Sequence, residues 1–65
     1  MMPGQDYYTL VNNKGEELEE TDPITGYKEI MKFSYLEEAE HALEYFIHEE
    51  WINKEDGWHV ERNRW

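Results

Sequence analysis

The sequence predicts a small α+β domain in the order β-β-α-β. An amphipathic segment from Tyr35 to Trp51 predicts one helix, and segments rich in aromatic and β-branched residues on both sides of it predict strands. A net charge of −10 on 65 residues would favour disorder, but three Trp, five Tyr and two Phe supply enough surface to bury. We therefore expect one domain over residues 1–65, an antiparallel sheet of three or four strands with the helix packed on one face.

Two strands are predicted before the helix. The first is Tyr7 to Val11, because Tyr-Tyr-Thr-Leu-Val suits a strand and the Asn-Asn-Lys-Gly that follows is a strong turn signal. The second is Tyr27 to Phe33, which the turn sequence Asp-Pro-Ile-Thr-Gly at 22–26 introduces. The acidic segment Glu16 to Glu20 between them is either the return strand of a hairpin or a charged loop.

The helix has the clearest signals. Ser34 followed by Glu37 fits a capping box, in which the hydroxyl and the carboxylate satisfy backbone N–H groups reciprocally. One apolar stripe recurs at helical spacing and consists of Leu36, Ala39, Leu43, Phe46 and Ile47. After a polar break at 53–57, Trp58 and Val60 alternate with polar residues and predict the last strand.

Composition excludes several classes of chemistry. Without cysteine there are no disulfides, thiolate zinc sites or cysteine nucleophiles. His41, Glu44 and His48 share a helix face, but histidines seven residues apart lie about 10 Å apart along the axis, too far to chelate one ion. We expect no metal, no cofactor and no catalytic residue. With neither a signal peptide nor a membrane span, we expect a cytoplasmic protein.

The acidic residues predict a binding surface. The chain has 16 acidic residues and six Lys or Arg residues. In a helix, Glu37, Glu40 and Glu44 are spaced by about 4.5 and 6 Å, comparable to the phosphate spacing of about 3.4 Å along a DNA strand. The Glu16–Glu20 cluster, with Glu19 and Glu20 as its candidate contact residues, would add a second anionic row. These rows predict a mimic of nucleic acid that occupies a basic cleft, whereas the alternative is that the charges only keep an aromatic-rich domain dissolved.

Aromatic and basic residues give further candidates. Trp58 is expected in the core, while Trp51 is either an exposed contact residue or packed across the helix end. Arg62 and Arg64, two residues apart on a strand, point to the same face. There they would clamp carboxylates of a partner or pair with the chain's own acidic residues.

The runs Phe33-Ser34-Tyr35-Leu36-Glu37-Glu38-Ala39-Glu40 and Gly57-Trp58-His59-Val60-Glu61-Arg62-Asn63-Arg64 resemble a known family. This family comprises the small inhibitors of host RNA polymerase made by coliphages of the podovirus type. The resemblance covers about half the chain and implies a β-β-α-β fold. It also implies that Arg62 and Arg64 dock on the jaw of the polymerase β′ subunit, in the downstream DNA channel, and that acidic residues help displace part of the sigma factor.

The hypothesis is therefore a phage-type protein that inhibits a nucleic-acid enzyme in the bacterial host cytoplasm by filling its basic DNA channel, with RNA polymerase one target. As a DNA mimic it would instead block a CRISPR effector, a restriction enzyme or a uracil-DNA glycosylase. A third reading is a homodimeric interaction module without inhibitory activity. The expected partner is a protein, with no direct contact to nucleic acid or membrane, and the chain is a monomer or a weak homodimer.

Overall fold

A computed structural model describes residues 5–64. The elements, in chain order, are β1 (Asp6–Val11), β2 (Glu19–Thr21), β3 (Lys28–Ile30), α1 (Leu36–His48), a 3₁₀ helix (Lys54–Asp56) and β4 (His59–Arg64). The α+β class is confirmed. The single sheet of three or four strands is wrong, because the strands form two antiparallel pairs, β1 with β4 and β2 with β3.

Strand β1 connects these two pairs. Its full length pairs with β4, in a register that places Asp6 opposite Arg64 and Leu10 opposite Val60. Its other edge makes only isolated contacts. The Tyr8 amide donates to the Phe33 carbonyl at 2.8 Å and Tyr8 accepts from the Phe33 amide at 2.9 Å, while the Leu18 amide donates to the Leu10 carbonyl at 2.8 Å. The ladder on this edge is too interrupted to form a third strand.

The β2–β3 hairpin is shorter than the sequence predicts. The Asp22 side chain accepts from the Ile24 amide at 2.8 Å and closes the predicted turn. The pairing continues one residue beyond Ile30, where the Met31 amide donates to the Leu18 carbonyl. Phe33 then bonds to Tyr8 of β1 instead. The strand expected at 27–33 therefore divides between two partners. The segment 16–20 also divides between two partners. Glu17 forms a bridge with Val11 of β1, whereas Glu19 and Glu20 belong to β2.

The helix begins differently from the prediction. Its N-cap is Tyr35, whose backbone is extended (φ −126°, ψ 142°) and whose side chain makes no capping hydrogen bond. The capping box expected of Ser34 is therefore wrong. The acidic Glu37 and Glu38 still lie in the first turn, where the positive end of the helix dipole favours them.

The helix ends at His48, three residues before the predicted end, in a Schellman motif. The Trp51 amide donates to the Phe46 carbonyl at 2.9 Å, and the Glu50 amide donates to the Ile47 carbonyl at 3.1 Å. The left-handed residue that this motif needs is Glu50 (φ 61°) instead of the usual glycine. A side chain there costs about 1 kcal/mol or more, and its negative charge opposes the helix dipole.

The core lies between α1 and the β1–β4 pair. Leu10, Ala39 and Phe46 are buried at its centre. Nine partly buried residues surround them, namely Tyr8, Leu18, Met31, Phe33, Ala42, Leu43, Ile52, Trp58 and Val60. Trp58 packs against the core as predicted, whereas Leu36, expected in the apolar stripe, is 47% exposed. Among residues 5–64 no acceptor lies within hydrogen-bonding distance of the buried Trp58 Nε1.

Two loops close the end of the β1–β4 pair by direct contact. The buried Asn12 accepts from the Lys14 and Glu16 amides through its side-chain oxygen, at 3.0 and 2.9 Å. The next residue, Asn13, donates its amide to the Asp56 carbonyl at 3.0 Å. Gly57 lies against Asn13 with φ 74°, so a methyl group there would collide with the Asn13 side chain. The loop contact therefore needs glycine for both its conformation and its size.

We expect Gly57→Ala to destabilise the protein more than Gly26→Ala. Both residues are left-handed, but a side chain at Gly26 would contact nothing within 4 Å. Gly26→Ala should lower the free energy of unfolding by about 1 kcal/mol, and Gly57→Ala should lower it further, because the Asn13 side chain must move aside. Urea denaturation of the two variants measures the difference. Equal losses would contradict the close approach.

We expect Glu50→Gly to stabilise the protein. The change removes the left-handed strain and should raise the free energy of unfolding by about 1 kcal/mol. Glu50→Gln is the matched control, because it removes the same charge from the helix C-terminus and keeps the strain. Thermal denaturation compares the pair. If Glu50→Gly gains no more than Glu50→Gln, the strain assigned to this residue is absent.

Candidate protein-binding surface

The negative charge of this protein is almost entirely on its surface. Every Asp and Glu lies within residues 5–64, and all except Asp6 are exposed. In this part of the chain, cationic partners lie within 4 Å of only Asp6, Glu49 and Glu61, and the last two pair with histidines. Most of the acidic side chains therefore remain available to an external cation.

The helix carries three of these unpaired acids on one side. Glu37, Glu40 and Glu44 all lie within α1, and all are exposed. None of them forms an ion pair with another described residue. Their helical spacing puts the three carboxylates along about 10 Å of one face. We call Glu37, Glu40 and Glu44 the glutamate row.

The arginine pair is partly occupied within the chain. Arg62 and Arg64 approach opposite oxygens of Asp6, with Nε–Oδ distances of 3.9 and 3.5 Å. Of the two alternatives that the sequence left open, pairing with the chain's own acids is present, through Asp6. The two arginine side chains nevertheless remain 70% and 74% exposed. Such exposed pairs contribute at most about 1 kcal/mol, so a partner's carboxylate can compete with Asp6.

The remaining three candidates meet near the C-terminal end of α1. Glu19, Glu20 and Trp51 line one cleft of about 440 Å³. Trp51 is 68% exposed and stacks on Phe46 with the ring centroids 5.3 Å apart. Trp51 is thus largely exposed and also packs across the helix end on Phe46, so each of the two alternatives holds in part. Apart from Thr21, the other lining residues are apolar, namely Leu18, Met31, Phe46 and Ile52. We call this site the Trp51 cleft.

The candidates thus form three separate groups instead of one continuous surface. Asp6, which holds the arginine pair, lines a shallow cleft with Tyr35 at the start of α1. The Trp51 cleft lies beyond the end of α1, and the helix of 13 residues spans about 20 Å. Sequence reasoning missed the role of Asp6 and the apolar floor of the Trp51 cleft. The signal for that floor was present at Leu18, which is the single apolar residue of the acidic segment Glu16 to Glu20.

His59 and Glu61 on β4 form a small titratable unit. His59 Nδ1 lies 2.9 Å from the Gly57 carbonyl, and Nε2 lies 3.2 Å from a Glu61 carboxylate oxygen. Both ring nitrogens therefore face acceptors, which favours the doubly protonated ring. The Gly57 carbonyl, followed by the Glu61 carboxylate, raises the pKa of His59 above its ordinary 6.5.

Residues 5–64 contain no group of three His, Asp or Glu side chains placed to hold a metal ion. Within the same range, the only α-helix is too short and too polar to cross a bilayer. Trp65, at the chain end, lies outside the described residues.

Comparison with known proteins adds no relative. No protein-family model matches this chain, and neither the curated proteins nor the solved structures contain a significant match. The resemblance to phage polymerase inhibitors therefore stays a prediction from the two sequence runs.

We expect Glu61→Gln to lower the pKa of His59. The change removes the charged acceptor and leaves the Gly57 carbonyl in place, so the pKa should fall towards 6.5 without reaching it. Because the folded-state pKa is raised, the stabilisation by protonated His59 is complete below pH 6.5 and is lost as the pH rises through the folded-state value. NMR titration of the His59 ring in both proteins measures the shift. An unchanged pKa would contradict the role of Glu61.

Proposed function

We propose that this protein binds a basic, nucleic-acid-binding cleft of a partner protein and excludes nucleic acid from it. The observation that supports the proposal is the glutamate row: three exposed carboxylates along one helix, none of them in an ion pair with another residue of the range 5–64. The row belongs to a chain with a net charge of −10. Such a surface attracts a cationic cleft over a Debye length of about 10 Å and repels nucleic acid itself.

Within that class, we favour a phage-type inhibitor of a bacterial nucleic-acid enzyme, with RNA polymerase as the first target to test. The two sequence runs and the exposed Arg62–Arg64 pair support this choice. In the polymerase case the arginines dock on an acidic jaw while the acidic residues occupy the channel. In pure mimicry, directed at a CRISPR effector, a restriction enzyme or a uracil-DNA glycosylase, the glutamate row carries the binding and the arginines do not.

The charged edge of β4 argues against a homodimeric module. This strand has β1 on one side, and its other edge is free within the described residues. Its sequence includes Glu61, Arg62 and Arg64, and charged residues on an edge strand discourage pairing with another chain. Two copies would also bring together two bodies of charge −10. Sedimentation at micromolar concentration separates a monomer from a dimer.

We expect the triple variant Glu37→Gln, Glu40→Gln, Glu44→Gln to lose partner binding. Immobilised wild-type protein should retain a bacterial nucleic-acid enzyme from lysate, and short duplex DNA should release it. Purified RNA polymerase tests the favoured target directly. Affinity should fall by about tenfold or more between about 50 and 500 mM salt, and the triple variant should bind at least about tenfold more weakly.

The matched control is Glu17→Gln, Glu29→Gln, Glu55→Gln, which removes the same three charges from exposed positions outside α1. It should weaken binding by no more than about threefold, through the general field alone. Equal losses in the two triple variants, or an affinity independent of salt, would overturn the role of the glutamate row. Arg62→Glu with Arg64→Glu then separates the targets, because it should abolish binding only to an acidic jaw.

A further inference from the structure

The Trp51 cleft combines three features. Its floor is apolar, formed by Leu18, Met31 and Ile52. Its wall is the indole of Trp51, and its rim carries Glu19 and Glu20. Both glutamates are exposed, and neither is paired with a cation within residues 5–64. An aliphatic floor, an aromatic wall and a negative rim together match a side chain that is apolar along its stem and cationic at its tip.

Trp51 is held in a fixed position although most of it is exposed. One face stacks on Phe46, with the ring planes inclined by only 19°. Tyr45 meets the indole edge-on at 6.2 Å. The Trp51 amide is also tied to the Phe46 carbonyl by the Schellman hydrogen bond. These contacts hold the indole in place while 68% of Trp51 stays exposed, so the ring is preorganised for a ligand.

From this arrangement we infer that the Trp51 cleft receives an arginine side chain of the basic partner. The guanidinium plane stacks on the exposed indole of Trp51. Its N–H groups donate to the carboxylate of Glu20, which lies on the same strand face as Leu18. Glu19 adds negative charge at the rim, and the methylene stem of the arginine covers the apolar floor. Arginine fits better than lysine, because a planar fork can stack and bind a carboxylate through two donors, whereas an ammonium group is more strongly hydrated.

The inference rests on the proposed function for the nature of the partner, and it adds a specific contact to a surface otherwise defined by charge. On this inference the left-handed Glu50 has a role in binding, because it makes the turn that places Trp51 over Phe46. The inference also explains why a large aromatic side chain is exposed on a strongly charged molecule. The contact would act as an anchor at one end of α1, separate from the glutamate row.

The test uses the whole chain and a short peptide of glycine and serine that carries two arginines. Two-dimensional NMR should show saturable shifts of the Trp51 indole N–H and of the Leu18, Glu20 and Ile52 amides. The same peptide with citrulline in place of arginine keeps the shape without the charge, and it should produce no saturable shift. A lysine peptide should bind at least about threefold more weakly. Equal binding of the arginine and citrulline peptides would overturn the inference without any variant having to fold.

Variants then locate the site. Glu19→Gln with Glu20→Gln should weaken binding of the arginine peptide by about tenfold or more. Glu38→Gln with Glu55→Gln removes two charges away from the cleft and should change the affinity by less than about twofold. Trp51→Leu should abolish the stacking contribution, and its amide spectrum shows whether the fold is retained. Equal losses in the two double variants, or shifts centred elsewhere, would overturn the site.

The outcome is distinguishable from that of the proposed function. If the peptide fails to bind while the partner still binds through the glutamate row, only the arginine contact is wrong. If the peptide binds in the cleft and no DNA-sensitive partner is found, the cleft stands and the proposed function fails. Each result is read from a different measurement on the same protein.

Discussion

The fold depends on the hydrogen bonds that β1 makes on both of its edges. One edge pairs along its full length with β4, and the other holds the chain at Leu18 and Phe33 through isolated bonds. Leu10 lies at the centre of this strand and is completely buried under α1. Residues from both ends of the chain therefore meet in the sheet that the helix covers. Without β1 the β2–β3 hairpin, at three residues a strand, would be too short to persist alone.

Self-repulsion sets the second constraint, because a small core must hold together a surface of charge −10. Leu10, Ala39 and Phe46 are the only residues of the central cluster that are buried, and the aromatic rings around them extend that core. Trp51 stacks on Phe46 from outside, so the same aromatic contact closes the core and forms a wall of the Trp51 cleft. Stability and the candidate binding surface are coupled at this end of α1.

Local patterns identified the elements and missed their partners. The helix, the first and last strands and the turn at 22–26 follow from periodicity and turn residues, which depend on neighbours in sequence. The strand expected at 27–33 divides because Phe33 bonds to β1 instead of to β2, a choice between two distant segments. Ser34 has the right chemistry for a cap, yet the extended backbone that a cap needs falls on Tyr35. The left-handed conformation of Glu50 could not be predicted from its residue type, because Gly and Asn are the usual residues there.

The candidate surface shows the same division. Composition and helical spacing were sufficient to find the glutamate row, because residues three and four apart share a face in any helix. The same reasoning named Trp51, Glu19 and Glu20 separately and gave no sign that they meet. Their meeting depends on the hairpin folding back against the end of α1, and Asp6 reaches Arg62 and Arg64 only because β1 and β4 pair in one register. The sequence by itself thus determined the class of fold, the charge and the helix face. The tertiary structure decided which distant side chains share a site, because that depends on strand pairing and packing between segments far apart in the chain.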